Sequence, residues 1–387
     1  MSGMSGMSGM SAWSLQRLTG AVQANCHRAD ARHAADMTLC IYLLQMREFF
    51  RWERGLPFAA PLPRQAVGSW IAEREALWSG LEDSEFEPLP LPSPRLSAFD
   101  EGCEMVDPFD LPRIAQALAP LGLIYGAGLV AAQRPVFFLA QQYSASRSDT
   151  SSGPLPVLTA GTELARGLVS PLATLGLQGA EQVIVIRREA LARWCWERFE
   201  TYSLRRTPGT PMHALVQAYG LDQGFDAALP RWLDEQSEVL LLHELAEHQV
   251  GQRLGSAWAD LRLSLTSRRA ELQARALRDL LADCSSTLPT LLERGADRSL
   301  HGWFAAFEGL RQLLYPGLSG AYACWRGGDG GLALRQACDI GVSHFGALAE
   351  QALALHAQGG DNAQQTIEKA LLAPAACCGW TAEARAA

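Results

Sequence analysis

The amino-acid sequence predicts a mainly α, α+β protein: a multi-helix bundle with a small antiparallel sheet of three to four short strands in its N-terminal half. Three observations carry that prediction. After Pro208, long Leu- and Ala-rich segments repeat their apolar residues at helical spacing. Between Leu121 and Arg187 the pattern changes to short runs of β-branched and aromatic residues bounded by Gly and Pro. The chain, 387 residues of which 48% are hydrophobic and 19% charged, has ample material for a core without disulfide or metal staples.

Taken in order, residues 1–12 repeat Met-Ser-Gly with no cationic start and no apolar centre, so they read as a disordered tail rather than a secretory signal. The true start is open among Met1, Met4, Met7 and Met10. Residues 13–82 are expected to be helical. One long helix is expected over 28–54, stopped at Gly55-Leu56-Pro57, and another over 64–82. Residues 83–110 hold Pro-Leu-Pro-Leu-Pro-Ser-Pro and several acids, the composition of an extended connector.

Residues 111–206 read as a small α+β domain. Its strands are expected at 123–130, 135–140, 155–158 and 182–187, with a polar loop from Ser144 to Pro154 and a helix over 188–204. Residues 207–358 read as a helical domain with segments near 212–219, 225–254, 257–285, 288–295, 301–314, 318–325 and 331–357. Residues 359–387 are expected to fray.

A net charge of −8 and a pI near 5.6 leave no basic field for a phosphate backbone or an anionic bilayer, so neither nucleic acid nor membrane is an expected partner. The longest apolar run, Ala117 to Ala132, contains Pro120 and is too short to span a membrane. Nine cysteines without a C-x-x-C pair suggest a reduced, cytoplasmic protein, with Cys40, Cys195 and Cys284 acting as small buried hydrophobes.

The densest chemistry lies in His243-Glu244-Leu245-Ala246-Glu247-His248, where two imidazoles and two carboxylates occupy one and a half turns of an otherwise apolar helix. Such groups need pairing or a cation when buried. His243 with Glu247, and Glu244 with His248, stand at i,i+4 and can meet side by side. His243 and His248 lie about 140° apart on the helix, so neither the H-E-x-x-H zinc motif nor its inverted form is present. The spacing is compatible with di-iron or di-manganese helical bundles but lacks their Glu-x-x-His repeat.

Further ligands would come from Glu197 or Glu200, and from Glu271, Asp279 and Asp283, the last two again an i,i+4 pair. A salt-bridged cluster is the commoner use of such residues; metal ligation is the reading that would give the chain a chemistry. A weaker candidate set, Cys26, His27, Asp30 and His33, stands near the N-terminus. Gly126-Ala127-Gly128 is a bare G-x-G inside a strand, so no nucleotide cofactor is expected.

Asn25-Cys26 with Asp30, Met46 to Glu53, Tyr125 to Gly128, Phe137-Phe138-Leu139, His243-Glu244-Leu245 and Leu281 to Cys284 together resemble an uncharacterised proteobacterial family of unknown function, over most of residues 20–350. The resemblance implies no activity, cofactor or catalytic residue.

The expectation is therefore a cytoplasmic helical metal-binding protein, a non-haem iron (di-iron-like) oxidoreductase acting on a small molecule. Its ligands would be His243, Glu244, Glu247, His248, Glu197, Asp279 and Asp283, and its metal iron, manganese or zinc. The alternative is a non-catalytic interaction or scaffold protein in which the hexad is a buried salt-bridge cluster and Trp13, Trp303 and Phe304 mark a partner surface. A zinc hydrolase is the third reading.

Overall fold

The computed structural model describes residues 12–92, 103–130, 134–178, 181–359, 362–373 and 377–379. Helix dominates, and the chain is mainly α with an α+β N-terminal half. It divides into two units, one of residues 1–149 and 154–196, the other of 150–153 and 197–387. Among the described residues no helix is long and apolar enough to cross a membrane.

In the first unit the single long helix expected over 28–54 is two: α1 (Ala12–His33) and α2 (Leu39–Glu53). After a 3₁₀ turn the chain leaves helical geometry, with Thr38 extended at φ −66°, ψ 149°. The break lets α2 set Met46, Phe49 and Phe50 against Val67, Trp70 and Trp78 of α3 (Arg64–Trp78) in a local aromatic core. Cys40, expected inside, is exposed on the first turn of α2.

The segment expected to be an unpacked connector holds strands β1 (Leu89–Pro92) and β2 (Cys103–Val106), paired antiparallel with Leu89 opposite Val106. In a two-stranded ribbon both strands are edges, which is where proline's missing N–H is tolerated. Leu89 and Leu91 join Leu18 and Val22 of α1 in one core with Ile114 and Leu118 of α4 (Leu111–Leu118).

The main sheet is larger than predicted and is mixed rather than antiparallel. It has five strands, β3 (Leu123–Val130), β4 (Arg134–Thr150), β5 (Gly153–Arg166), β6 (Ala173–Gln178) and β7 (Glu181–Arg187), in the order β3-β4-β5-β7-β6. β5 and β7 run parallel, with Val157 opposite Ile184. Ser144 to Asp149, expected to be loop, continues β4 with mostly exposed side chains. Gly126 faces Phe138 across the β3–β4 ladder, and a Cβ there would lie 2.1 Å from the ring. The glycine therefore serves ring packing, with Arg187 stacked on Phe138 at 4.3 Å.

From α5 (Arg188–Arg205) the chain is helical: α6 (Pro211–Tyr219), α7 (Phe225–Leu254), α8 (Ser256–Ser264), α9 (Arg268–Ala282), α10 (Leu288–Glu293), α11 (Asp297–Ala305), α12 (Gly309–Leu314), α13 (Gly317–Arg326), α14 (Leu332–Gln358) and α15 (Ala363–Leu372). The helix expected over 257–285 is interrupted at 265–267, where Ser267 caps α9 by accepting the Ala270 N–H. The segment expected over 301–314 divides at 306–308.

Between α9 and α10 the helix widens into a π-helical turn, Asp283–Thr287. Such turns concentrate at functional sites. Here it carries a fully buried acid, Asp283, beside buried Cys284. The expected frayed tail instead forms α15 and packs Cys378, whose N–H donates to the Leu314 carbonyl at 2.7 Å.

Candidate metal centre

The site is assembled in the second unit by α7, α9 and the π-helical turn. On α7 the i,i+4 spacing brings His243 Nε2 to 3.6 Å from Glu247 Oε1. The other imidazole nitrogen, His243 Nδ1, is 2.8 Å from Asp283 Oδ1. His243, Glu247 and Asp279 each offer one ligand atom, and the three atoms lie within 4.8 Å of one another. One nitrogen and two oxygens so grouped could hold a single ion.

Two of the three residues are oriented from behind. Asp283 fixes His243 through Nδ1, leaving Nε2 to face Glu247, the carboxylate–histidine arrangement that orients imidazoles at metal sites. Asp283 is itself held by Trp303 Nε1 at 3.2 Å and by Arg311 Nη1 at 3.1 Å, and the Arg311 guanidinium stacks over the Trp303 ring. Glu247 is fixed through its second oxygen, Oε2, by Arg278 Nη2 at 2.5 Å.

The electrostatics follow from burial and neighbours. Burial pulls the His243 pKa down, but the Asp283 charge and hydrogen bond, joined by Glu247, lift it well above the ordinary imidazole value. Burial pushes Glu247 up, and His243 and Arg278 outweigh it, so Glu247 stays ionised. Asp279 moves the other way: burial and the Glu247 charge raise its carboxyl far above the carboxylate range, and it shares a hydrogen bond with Glu247. Asp283 is held low, His243 and Arg311 overcoming the burial that would raise it. At neutral pH two labile protons, one on His243 and one on Asp279, therefore face the same Glu247 carboxylate.

The remaining predicted ligands lie elsewhere. His248 points away, its Nε2 3.2 Å from Ser152 Oγ and 3.0 Å from Gln252 Nε2. Burial lowers its pKa. Glu244 is buried on α7 and contributes to the field at Arg278. Glu197 and Glu200, on α5, supply no atom to the three-ligand group. Glu271 pairs with Arg275 and Arg262 as part of an ion-paired stripe.

The N-terminal set is dispersed. Cys26 Sγ donates to the Phe137 carbonyl, His27 takes Arg74 and Trp78 as partners, Asp30 accepts the Leu168 N–H, and His33 lies 3.4 Å from Asp36.

Trp303 and Phe304, expected on the surface, are each 4% exposed. Trp303 is inside because its indole N–H is needed by Asp283. The Trp13 side chain lies outside the described residues. Sequence reasoning missed Trp303, Arg278 and Arg311. Only Arg278 left a trace, standing beside Asp279 in a stripe that reads as surface ion pairs.

No curated protein and no solved structure matches this chain. Residues 17–187 match the N-terminal domain, and residues 192–374 the C-terminal domain, of a family of unknown function (DUF6866), and the chain belongs to that family.

Proposed function

We propose that the C-terminal unit binds one divalent first-row metal ion through His243, Glu247 and Asp279, and that the protein is an oxidoreductase of the mononuclear non-haem iron or manganese type. The observation that carries the reading is the convergence of three ligand atoms within 4.8 Å, with His243 oriented by buried Asp283 and Glu247 by half-buried Arg278. One imidazole with two carboxylates suits Fe²⁺ or Mn²⁺. Three protein ligands leave coordination positions open for a small molecule.

Charge balance supports the same reading. A divalent ion would replace the protons of His243 Nε2 and the Asp279 carboxyl, leaving the site's net charge unchanged. A dinuclear centre has no such support, because His248 and Glu197 stand outside the group.

A second reading is favoured by two contacts, Arg278 on Glu247 and Arg311 on Asp283. In it the same groups form a closed ion cluster that fixes α7 against α9, and the protein is a non-catalytic scaffold.

Elemental analysis of protein produced with iron, manganese and zinc supplied together separates the two. The metal reading expects about one equivalent of iron or manganese, lost in His243→Ala and Glu247→Ala. Wild-type protein that is metal-free and takes up none on titration leaves the ion cluster; one equivalent of zinc favours hydrolytic chemistry.

A further inference from the structure

The first two turns of α2 present apolar surface to solvent. Leu39, Ile41, Leu43 and Leu44 are between 42% and 70% exposed, and Cys40 is exposed among them. At about 100° per residue these five side chains cover roughly 200° of the helix circumference. The opposite side is anchored, by Met46 in the aromatic core and by the Tyr42 hydroxyl, which donates to Glu75 of α3 at 2.8 Å. A helix apolar around most of its circumference is normally buried, and a contiguous exposed patch marks a contact surface.

The residues from Thr38 to Met46 include no charge, which selects among covers for the patch. A bilayer is disfavoured, because membrane-surface helices add cationic side chains to their apolar face, whereas this run has none and the chain carries a net charge of −8. A second copy of the chain fits. An uncharged apolar stripe is complementary to itself, and two-fold pairs are the commonest assemblies of soluble proteins. The five exposed residues centre between Ile41 and Tyr42. Antiparallel packing about a two-fold axis at that point sets Leu39 level with Leu44 of the second copy and Cys40 level with Leu43. It also sets Asp36 level with Arg47, opposite charges just outside the apolar contact, and Asp36 is 45% exposed although Arg134 already donates to it.

We propose that α2 is the contact of a homodimer, two copies packing antiparallel across Leu39, Cys40, Leu43 and Leu44. Cys40, whose sequence context reads as buried, is then covered by the second copy. The patch is on the order of 400 Å² on each copy, so the contact removes about 800 Å² before its rim is counted, the size of a weak, reversible interface.

Sedimentation velocity of the full chain from about 1 to 500 μM tests the proposal. The weight-average mass should rise from 42.0 kDa toward twice that value, with a dissociation constant between about 1 and 100 μM. Leu43→Glu should weaken association about tenfold or more, and Leu39→Glu does the same should Leu43→Glu fail to fold. A short bismaleimide should join Cys40 to Cys40 of the second copy in wild type, identified by mass spectrometry of the linked peptides, and fail to do so in the glutamate variant. A chain that stays monomeric throughout the range overturns the proposal, whether it floats with phosphatidylglycerol vesicles or shields Cys40 from alkylation with another part of itself. So does a dimer untouched by the glutamate variant that folds, or one in which only other cysteines cross-link.

Discussion

Replacing Asp283 by Asn tests both the electrostatics and the proposed chemistry of the C-terminal unit. The carboxylate is fully buried and accepts from three donors, His243 Nδ1, Trp303 Nε1 and Arg311 Nη1. An amide has one acceptor oxygen. If that oxygen keeps His243 and Trp303, its NH₂ faces the Arg311 guanidinium, donor against donor. Two cations then lose their counter-charge. Removing one partner of a buried ion pair costs about 3–5 kcal/mol, a large share of an ordinary domain's stability.

The pH dependence has a definite sign. Asp283 is depressed in the folded protein, so its contribution is present above its unfolded value near 3.8 and is lost as pH falls through the lower folded value. His243 is raised, so its contribution is full below 6.5 and is lost as pH rises through the higher folded value. The stability gap between wild type and Asp283→Asn, read by urea denaturation, should therefore be widest between about pH 4 and pH 6.5. In the same variant, metal affinity measured by titration should fall 10- to 100-fold, the usual effect of losing a carboxylate behind a histidine ligand. A gap below about 0.5 kcal/mol across that window would refute the electrostatic account. Unchanged metal affinity would refute the orienting role of Asp283 even if the protein were destabilised.

Glu163 is buried between Arg187 Nε at 2.8 Å and Arg193 Nη2 at 2.5 Å, so Glu163→Gln should cost about 3–5 kcal/mol in chemical denaturation, and Glu163→Gln with Arg187→Met should recover part of it. Additive losses would contradict the pairing. Burial lifts Asp30 to about 7 against the Leu168 N–H it accepts, so stability should drop by roughly 3 kcal/mol between pH 5 and pH 8 as the unfolded chain alone stays easily ionised, and Asp30→Asn should flatten that slope. Identical slopes in the two proteins would show that Asp30 is not the source. Gly341 lies against Cys284, where a Cβ would come within 2.6 Å of Sγ and 3.0 Å of the Tyr315 ring. Gly341→Ala should therefore cost about 1–2 kcal/mol in denaturation despite alanine's helix preference, and Cys284→Ala should rescue it; a stabilised Gly341→Ala would refute the packing account.

The helices after Pro208 were legible because each buries one stripe, and the apolar period of α7 reports Phe225–Leu254 directly. Their interruptions were not, since a three-residue break at 265–267 leaves the apolar period nearly intact. Ser267 is the available signal, an N-cap residue in the middle of an apparent helix. The outer half of β4 was hidden for the opposite reason: alternation appears only where one face is buried, and Tyr143 to Asp149 are largely exposed.

At the site, helical spacing paired His243 with Glu247 and Asp279 with Asp283. The same spacing leaves His248 within one half of the helix with His243 and so counts it a ligand, whereas its partners are Ser152 and Gln252. What local spacing cannot carry is the contribution of distant segments. Trp303 lies twenty residues beyond Asp283, and Arg311 twenty-eight, and only the packing of α11 and α12 brings them to it.

Each unit buries a charged cluster, and the difference between the two bears on which can do chemistry. Glu163 has both oxygens taken by guanidinium donors from Arg187 and Arg193, and these hold its carboxyl at about 2 against the burial that would raise it. Arginine does not release its protons at any pH a folded protein tolerates. That carboxylate is saturated by partners that cannot leave, so the cluster can only be structural. Glu247 has one oxygen held in the same way by Arg278, but the other faces His243 and Asp279, whose protons are removable. A cation binding there, as proposed, would displace protons rather than guanidinium groups and would need no side chain to withdraw. The identity of the donors around each acid thus separates the two: arginines close the first cluster, whereas a histidine and a protonated aspartic acid leave one side of the second open to exchange.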